Sequence, residues 1–142
     1  VQLKDVLHDA PEAYYGTSVH QFPNLFIMLG PNTGLGHNSM IYMIESQTNY
    51  ILDAIQKMIK QNIKSIDVRK DVQTKFNEEI QKKLEGTIWL SGCKSWYLSA
   101  DGKNHTVWPG FTLEFRNRTK NINLNDYHLE KVSVKKEEAE LV

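Results

Sequence analysis

The chain has 142 residues, of which 40% are hydrophobic and 24% charged, with 17 basic and 17 acidic side chains. That is the size and balance of one ordinary globular domain with a real core. Cancelling charge excludes the field that nucleic acid or an anionic membrane surface requires. No apolar run approaches the roughly 18 residues of a membrane helix, and no basic-then-apolar leader is present, so the default setting is cytoplasmic.

Residues 1–24 read as irregular, broken by Pro11, Gly16 and Pro23 and pegged by Tyr14, Tyr15 and Phe22. The chain opens at Val1 without a methionine, and the expectation is a segment of something longer. Leu25-Phe-Ile-Met-Leu29 is an uninterrupted apolar run, the pattern of a strand buried on both faces. A loop over 30–38 follows, with glycines at 30, 34 and 36. Asn38 or Ser39 then caps a helix over 39–60, with apolar residues at three- and four-residue spacing from Met40 to Ile59. Strand, glycine loop and helix start together aim free backbone N–H groups and the positive end of a helix dipole at one place, which suits an anionic or electron-rich ligand.

Beyond that helix, residues 65–69 alternate as a short strand. Asp71 is a candidate cap for a helix over 71–85, with Val72, Phe76, Ile80 and Leu84 on one stripe and Gly86 as terminator. Residues 87–116 hold all three tryptophans, Trp89, Trp96 and Trp108, and read as aromatic strand and loop material with a tight turn at Asp101-Gly102. The tail over 128–142 alternates charge and reads as disordered.

Each motif has a bland reading beside its sharp one. Gly34-Leu-Gly-His-Asn-Ser39 falls one residue short of the dinucleotide fingerprint G-x-G-x-x-G/A. The turn off the strand is too slack for it, and the acid expected about 20 residues on is missing from the next strand. His37 has no partner acid or second histidine at usable spacing and reads as structural. The single cysteine, Cys93, excludes an intrachain disulfide and a cysteine metal cluster, and reads as an inert thiol. The other histidines give no metal-ligand spacing, so no metal is expected. Trp96-Tyr97 either packs in the core or stacks on a planar ligand.

Two blocks of sequence carry a resemblance. Phe22-Pro-Asn-Leu-Phe-Ile-Met-Leu-Gly-Pro-Asn-Thr-Gly-Leu-Gly-His-Asn-Ser39, continuing through Ile44-Glu-Ser-Gln47 and Tyr50-Ile51, resembles the C-terminal part of the FAD domain of class B flavin-dependent monooxygenases, the Baeyer–Villiger and flavin-containing monooxygenases. Cys93-Lys-Ser-Trp-Tyr97, Gly102-Lys-Asn104, Trp108-Pro-Gly-Phe111 and Asp126-Tyr127 resemble the C-terminal end of the same proteins. The resemblance implies an α/β fold (α+β as an isolated fragment), in which residues 1–62 complete a Rossmann-like FAD domain and residues 63–127 form a C-terminal extension. It implies Gly36, Asn38, Ser39 and Met40 as FAD contacts, and Ser95 and Trp96 as part of a control loop that folds over NADP. The implied reaction uses NADPH, FAD and O₂. Through a flavin C4a-peroxide, one oxygen atom is inserted into a ketone to give an ester or lactone, or is placed on a soft heteroatom.

The family's two G-x-G-x-x-G motifs and its F-x-G-x-x-x-H-x-x-x-W signature do not occur here, and its catalytic residues are expected upstream. The implied partners are a small organic substrate, O₂ and the rest of the same polypeptide, with some apolar surface exposed where that part packs. The 142-residue piece alone is expected neither to bind FAD tightly nor to turn over. Two other readings stand beside this one: a stand-alone nucleotide-binding module, and an inactive remnant acting as an interaction domain.

Overall fold

A computed structural model describes residues 1–8, 11–34, 39–87, 98–99 and 102–133. Its elements in chain order are α1 (Leu3–Leu7), α2 (Met40–Lys60), β1 (Ile63–Val68), α3 (Lys70–Leu84), α4 (Thr112–Arg118), a 3₁₀ turn at Leu124–Asp126 and β2 (Tyr127–Lys131). The fold is a mixture of helices with one two-stranded sheet.

The helix α2 begins one residue after Ser39, whose backbone is extended. It stops where Asn62 takes φ +53° and donates its N–H to the Ile59 carbonyl, a left-handed exit that asparagine tolerates. The chain turns directly into β1. This strand runs antiparallel to β2, with Ile66 opposite Leu129 and Val68 opposite Tyr127. Arg69 occupies the cap position of α3. The expected cap, Asp71, instead lies inside the first turn, because the helix already begins at Lys70; its carboxylate pairs with the Arg69 guanidinium at 2.6 Å and suits the positive end of the helix. Gly86, with φ +76°, follows the end of α3.

Three further features differ from the sequence reading. Residues 25–29 form no strand: Met28 and Leu29 are exposed, and Leu29 turns off at φ +52°. An apolar run becomes a strand only when a ladder partner lies beside it, and among the described residues none does. Conversely, residues 128–131 are strand rather than tail. Of the five residues of β2 only Tyr127 is buried, so an edge strand with a charged outer face looks like a solvated tail in sequence. The helix α4 occupies the end of the stretch read as aromatic strand and loop.

The core crosses position 62, where the sequence reading placed a boundary. Tyr14, Met43 and Tyr50 from one side pack in a single cluster with Ile66, Phe76, Ile80, Trp108, Phe115 and Tyr127 from the other. Its centre is aromatic. Tyr14 meets Phe76 edge-on at 5.3 Å, and Trp108 meets Phe115 edge-on at 5.0 Å, geometries that add to simple burial. Arg118 closes one side, its guanidinium 5.5–5.9 Å from the rings of Tyr15, Phe76 and Trp108, held there by two bonds to the Glu79 carboxylate at 2.8 and 3.0 Å.

Candidate functional site

The approach to the glycine loop is fixed by a short parallel seam. The Asn32 N–H donates to the His105 carbonyl at 2.8 Å, the Gly34 N–H to the Thr106 carbonyl at 2.7 Å, and the Trp108 N–H to the Gly34 carbonyl at 2.9 Å. Side chains lock the same joint. Asn32 is 2% exposed with φ +55°, and its Nδ2 donates to the carbonyls of Asn104 (2.8 Å) and Val107 (3.0 Å). Asn104, fully buried, accepts at Oδ1 from the N–H groups of Thr106 and Val107. From α3, Gln81 donates to the Asn104 carbonyl at 2.9 Å. A Cβ at Gly34 would lie 2.7 Å from the Thr106 carbonyl oxygen, so this glycine is needed for close approach of two backbones.

A second clamp holds the far side. Gln47, fully buried on α2, accepts from the Leu29 N–H at 2.9 Å. Its Nε2 reaches the carbonyls of Tyr15 and Gly16 and the Thr17 hydroxyl at 2.8–3.2 Å. Gly16 itself takes φ +60°, with the Thr33 methyl against the place a side chain would need. The loop entrance is thereby pinned between α2 and the 104–108 segment.

At the start of α2, helix geometry leaves first-turn N–H groups without intrahelical acceptors. No acidic residue occupies that turn, so the positive end of the dipole is not cancelled. Ser39 is exposed and Met40 half-buried. Met40 lines a groove of about 460 Å³ with Leu29, Gly30, Pro31, Gly34 and Thr106. Of the residues the sequence pointed to, the structure thus brings Ser39, Met40 and the loop entrance together. Gly36, Asn38, Ser95 and Trp96 lie outside the described residues, as do His37, Trp89 and Cys93. Trp108 is core: it is 1% exposed, and its indole N–H donates to the Phe111 carbonyl at 3.2 Å. Sequence reasoning missed Asn32, Gln47 and Asn104. The Pro31-Asn32 step carried the one available hint, since asparagine after proline favours a turn.

Behind the site runs a chain of buried hydroxyls. The hydroxyl of Tyr127 lies 2.8 Å from that of Tyr50 and 3.2 Å from that of Ser18, while Tyr14 donates to the Asp126 carboxylate at 2.9 Å. Burial pushes the phenols of Tyr14 and Tyr50 well above the ordinary tyrosine value and that of Tyr127 up to about 12. All three are neutral at physiological pH. Among the described residues no group of three His, Cys, Asp or Glu side chains is placed to hold a metal, and no helix is long and apolar enough to cross a membrane.

No protein-family profile matches the chain. Among curated proteins it is similar to a Baeyer–Villiger monooxygenase of Pseudomonas aeruginosa, 51% identical over 129 residues, covering 89% of this chain and 24% of the relative. A Baeyer–Villiger monooxygenase of Streptomyces coelicolor is 42% identical over 120 residues, 83% of this chain and 23% of the relative. An Aspergillus niger protein named FAD-binding monooxygenase ktnD is 35% identical over 132 residues, 89% of this chain and 22% of the relative. The chain therefore spans about a quarter of the length of the curated relatives it matches. Its fold is similar to part of an oxidized steroid monooxygenase bound to NADP, with TM-score 0.79, 21% identity, and coverage of 92% of this chain and 25% of that one. It is also similar to part of cyclohexanone monooxygenase from Rhodococcus sp. Phi1 bound to NADP⁺, with TM-score 0.76, 22% identity, and coverage of 91% and 25%.

Proposed function

We propose that this chain, a homologue of Baeyer–Villiger and FAD-binding monooxygenases over about a quarter of their length, is the C-terminal segment of an FAD- and NADPH-dependent monooxygenase. The observation that carries the reading is the 51% identity running across 89% of the chain. It takes in both the glycine-loop block and the Trp108 block, which the seam joins in space. Bound FAD and NADPH would supply the chemistry: reduction of O₂, with one oxygen atom passed to a ketone or soft heteroatom and the other released as water.

The residues present fit a flavin edge. The groove beside Met40 has apolar walls and a glycine where the backbone must pass closely. The first turn of α2 offers positive potential unopposed by an acid. In this reading Ser39 and Met40 hold the electron-rich end of the ring system, together with Gly36 and Asn38, while Ser95 and Trp96 serve NADP. Asn32, Gln47 and Asn104 keep the loop entrance in place. Residues 25–29 and α2 would complete a Rossmann-like sheet and its covering helix, with the rest of the enzyme supplying the remaining strands, the phosphate-binding glycine motifs and the catalytic residues.

The test is a chimera in which this chain replaces the homologous 129-residue stretch of the Pseudomonas aeruginosa enzyme. The expected product is yellow, carries close to one FAD per chain and oxygenates a ketone at the expense of NADPH. The isolated 142-residue chain should show no stoichiometric flavin band. A chimera that folds yet binds no flavin, or a yellow isolated chain, would sink the reading.

A further inference from the structure

The helix α2 has three faces, and only two of them are used. Turning about 100° per residue, it buries Met43, Ser46, Gln47, Tyr50 and Ala54 along one line. A flanking polar arc serves contacts within the chain. Glu45 pairs with Arg116 at 2.8 Å. Asp53 bonds Lys57 and the Ile122 N–H, and Lys57 in turn bonds the Ile122 carbonyl. The remaining arc holds Ile41, Ile44, Thr48, Leu52, Ile55 and Ile59 at spacings of three and four. Ile41 is 66% exposed, Leu52 50%, Ile55 42% and Ile59 73%. A solvent-facing arc would ordinarily carry the charges. Here the charges sit on the flank and the arc opposite the core is apolar over about 27 Å of helix, at about 1.5 Å per residue.

A second feature lies against the same helix. Residues 25–29 are apolar throughout, and Leu29 is bonded to Gln47 of α2 and shares a groove with Met40. Along this run the N–H groups of Leu25, Ile27 and Leu29 are bonded within the chain. Those of Phe26 and Met28 have no partner among the described residues. Leu25 closes a turn onto Phe22, Ile27 bonds Thr17 and Leu29 bonds the Gln47 side chain, so among the described residues the run joins no ladder and two of its donors stay open. An apolar run with open backbone donors, beside a helix with a bare apolar arc, is a layer left incomplete until another stretch of polypeptide covers it.

We infer that the Ile41–Ile44–Leu52–Ile55–Ile59 arc is the docking surface for the remaining three quarters of the monooxygenase, an inference that rests on the functional reading above. The occupant follows from the page. Relatives carry about four times this chain's length, so a large polypeptide surface is available to cover the arc. A membrane surface would call for a strongly basic flank, whereas α2 sets Glu45 and Asp53 against Lys57 and Lys60 and carries no net charge. A second copy of the chain would cover the arc yet leave the open backbone donors of Phe26 and Met28 unexplained.

The experiment compares Ile55→Glu/Ile59→Glu in two settings. In the isolated chain these side chains face water, so the double variant should melt within a degree or two of the parent. In the chimera with the Pseudomonas aeruginosa enzyme, the same change buries two carboxylates against an apolar partner. It should lower the melting midpoint by about 5 °C or more and speed amide exchange along α2. The conservative variant Ile55→Leu/Ile59→Leu should leave the chimera within a degree or two of its parent. Equal, small effects of the glutamates in both settings would overturn the docking surface. So would a parent chain that sediments as a dimer and is made monomeric by the glutamates while the chimera is indifferent, since that assigns the arc to a second copy. A parent chimera without flavin brings down the functional reading and this inference with it. A flavin-loaded chimera indifferent to the glutamates removes the inference alone.

Discussion

Replacing Gln47 by leucine keeps the volume of the side chain but leaves the Leu29 N–H and the polar groups of the Gly16 turn to find new partners. Unsatisfied groups of this kind cost about 1–3 kcal/mol each, so Gln47→Leu should lower stability by about 2 kcal/mol or more in a denaturant titration. An exposed change such as Gln56→Leu should cost well under that. Glu79 makes a different prediction. Its bonds to the Arg118 guanidinium hold its carboxyl below the usual glutamate value, so the folded state favours the ionised form. That contribution is complete above the ordinary glutamate pKa of about 4.3 and is lost as pH falls through the depressed value. Glu79→Gln should therefore flatten the acid limb of the stability profile below about pH 5 and leave the slope near neutrality unchanged. Neither Gln47 nor the Asn32–Asn104 pair was legible in the sequence. A lone amide carries no periodicity, and its importance depends on carbonyls 31 to 75 residues away.

At the scale of elements, α2 and α3 were legible because each carries one buried stripe, and a stripe announces itself by spacing. The strand at 25–29 misled for the opposite reason. Its composition describes a finished sheet, and the sheet is a property of neighbours. In β2, a single buried residue among five leaves no alternation to read. The short α4 hid among aromatics that pack from a helix as readily as from a strand. The seam between 32–34 and 104–108 was foreshadowed by the Pro31-Asn32 step and by Gly34, whose role here is proximity to another backbone. Gly34→Ala forces its methyl into the Thr106 carbonyl and should cost about 1–3 kcal/mol. Faster hydrogen exchange should be confined first to the Gly34 and Trp108 amides. A global loss of protection with no local onset would show that the seam is not a separable joint.

Across the whole molecule, the bonds that matter most join parts far apart along the chain. The Tyr14 hydroxyl reaches Asp126 across 112 residues and that of Tyr50 reaches Tyr127 across 77, so the last described strand completes a core begun in the first twenty residues. The candidate site has the same property. Its half of the loop was legible from glycine spacing and a helix start, whereas the clamp that holds it comes from residues 104–108. Contacts of such separation are paid for in chain entropy before they return anything. During synthesis, therefore, the loop entrance has no fixed position until Trp108 has left the ribosome, and the Tyr50 hydroxyl has no tyrosine to meet until Tyr127 follows. The order of synthesis thus becomes an order of assembly: the loop entrance waits for a segment made some 72 residues after Asn32, and the tyrosine cluster waits longer still, with Tyr127 following Tyr50 by 77.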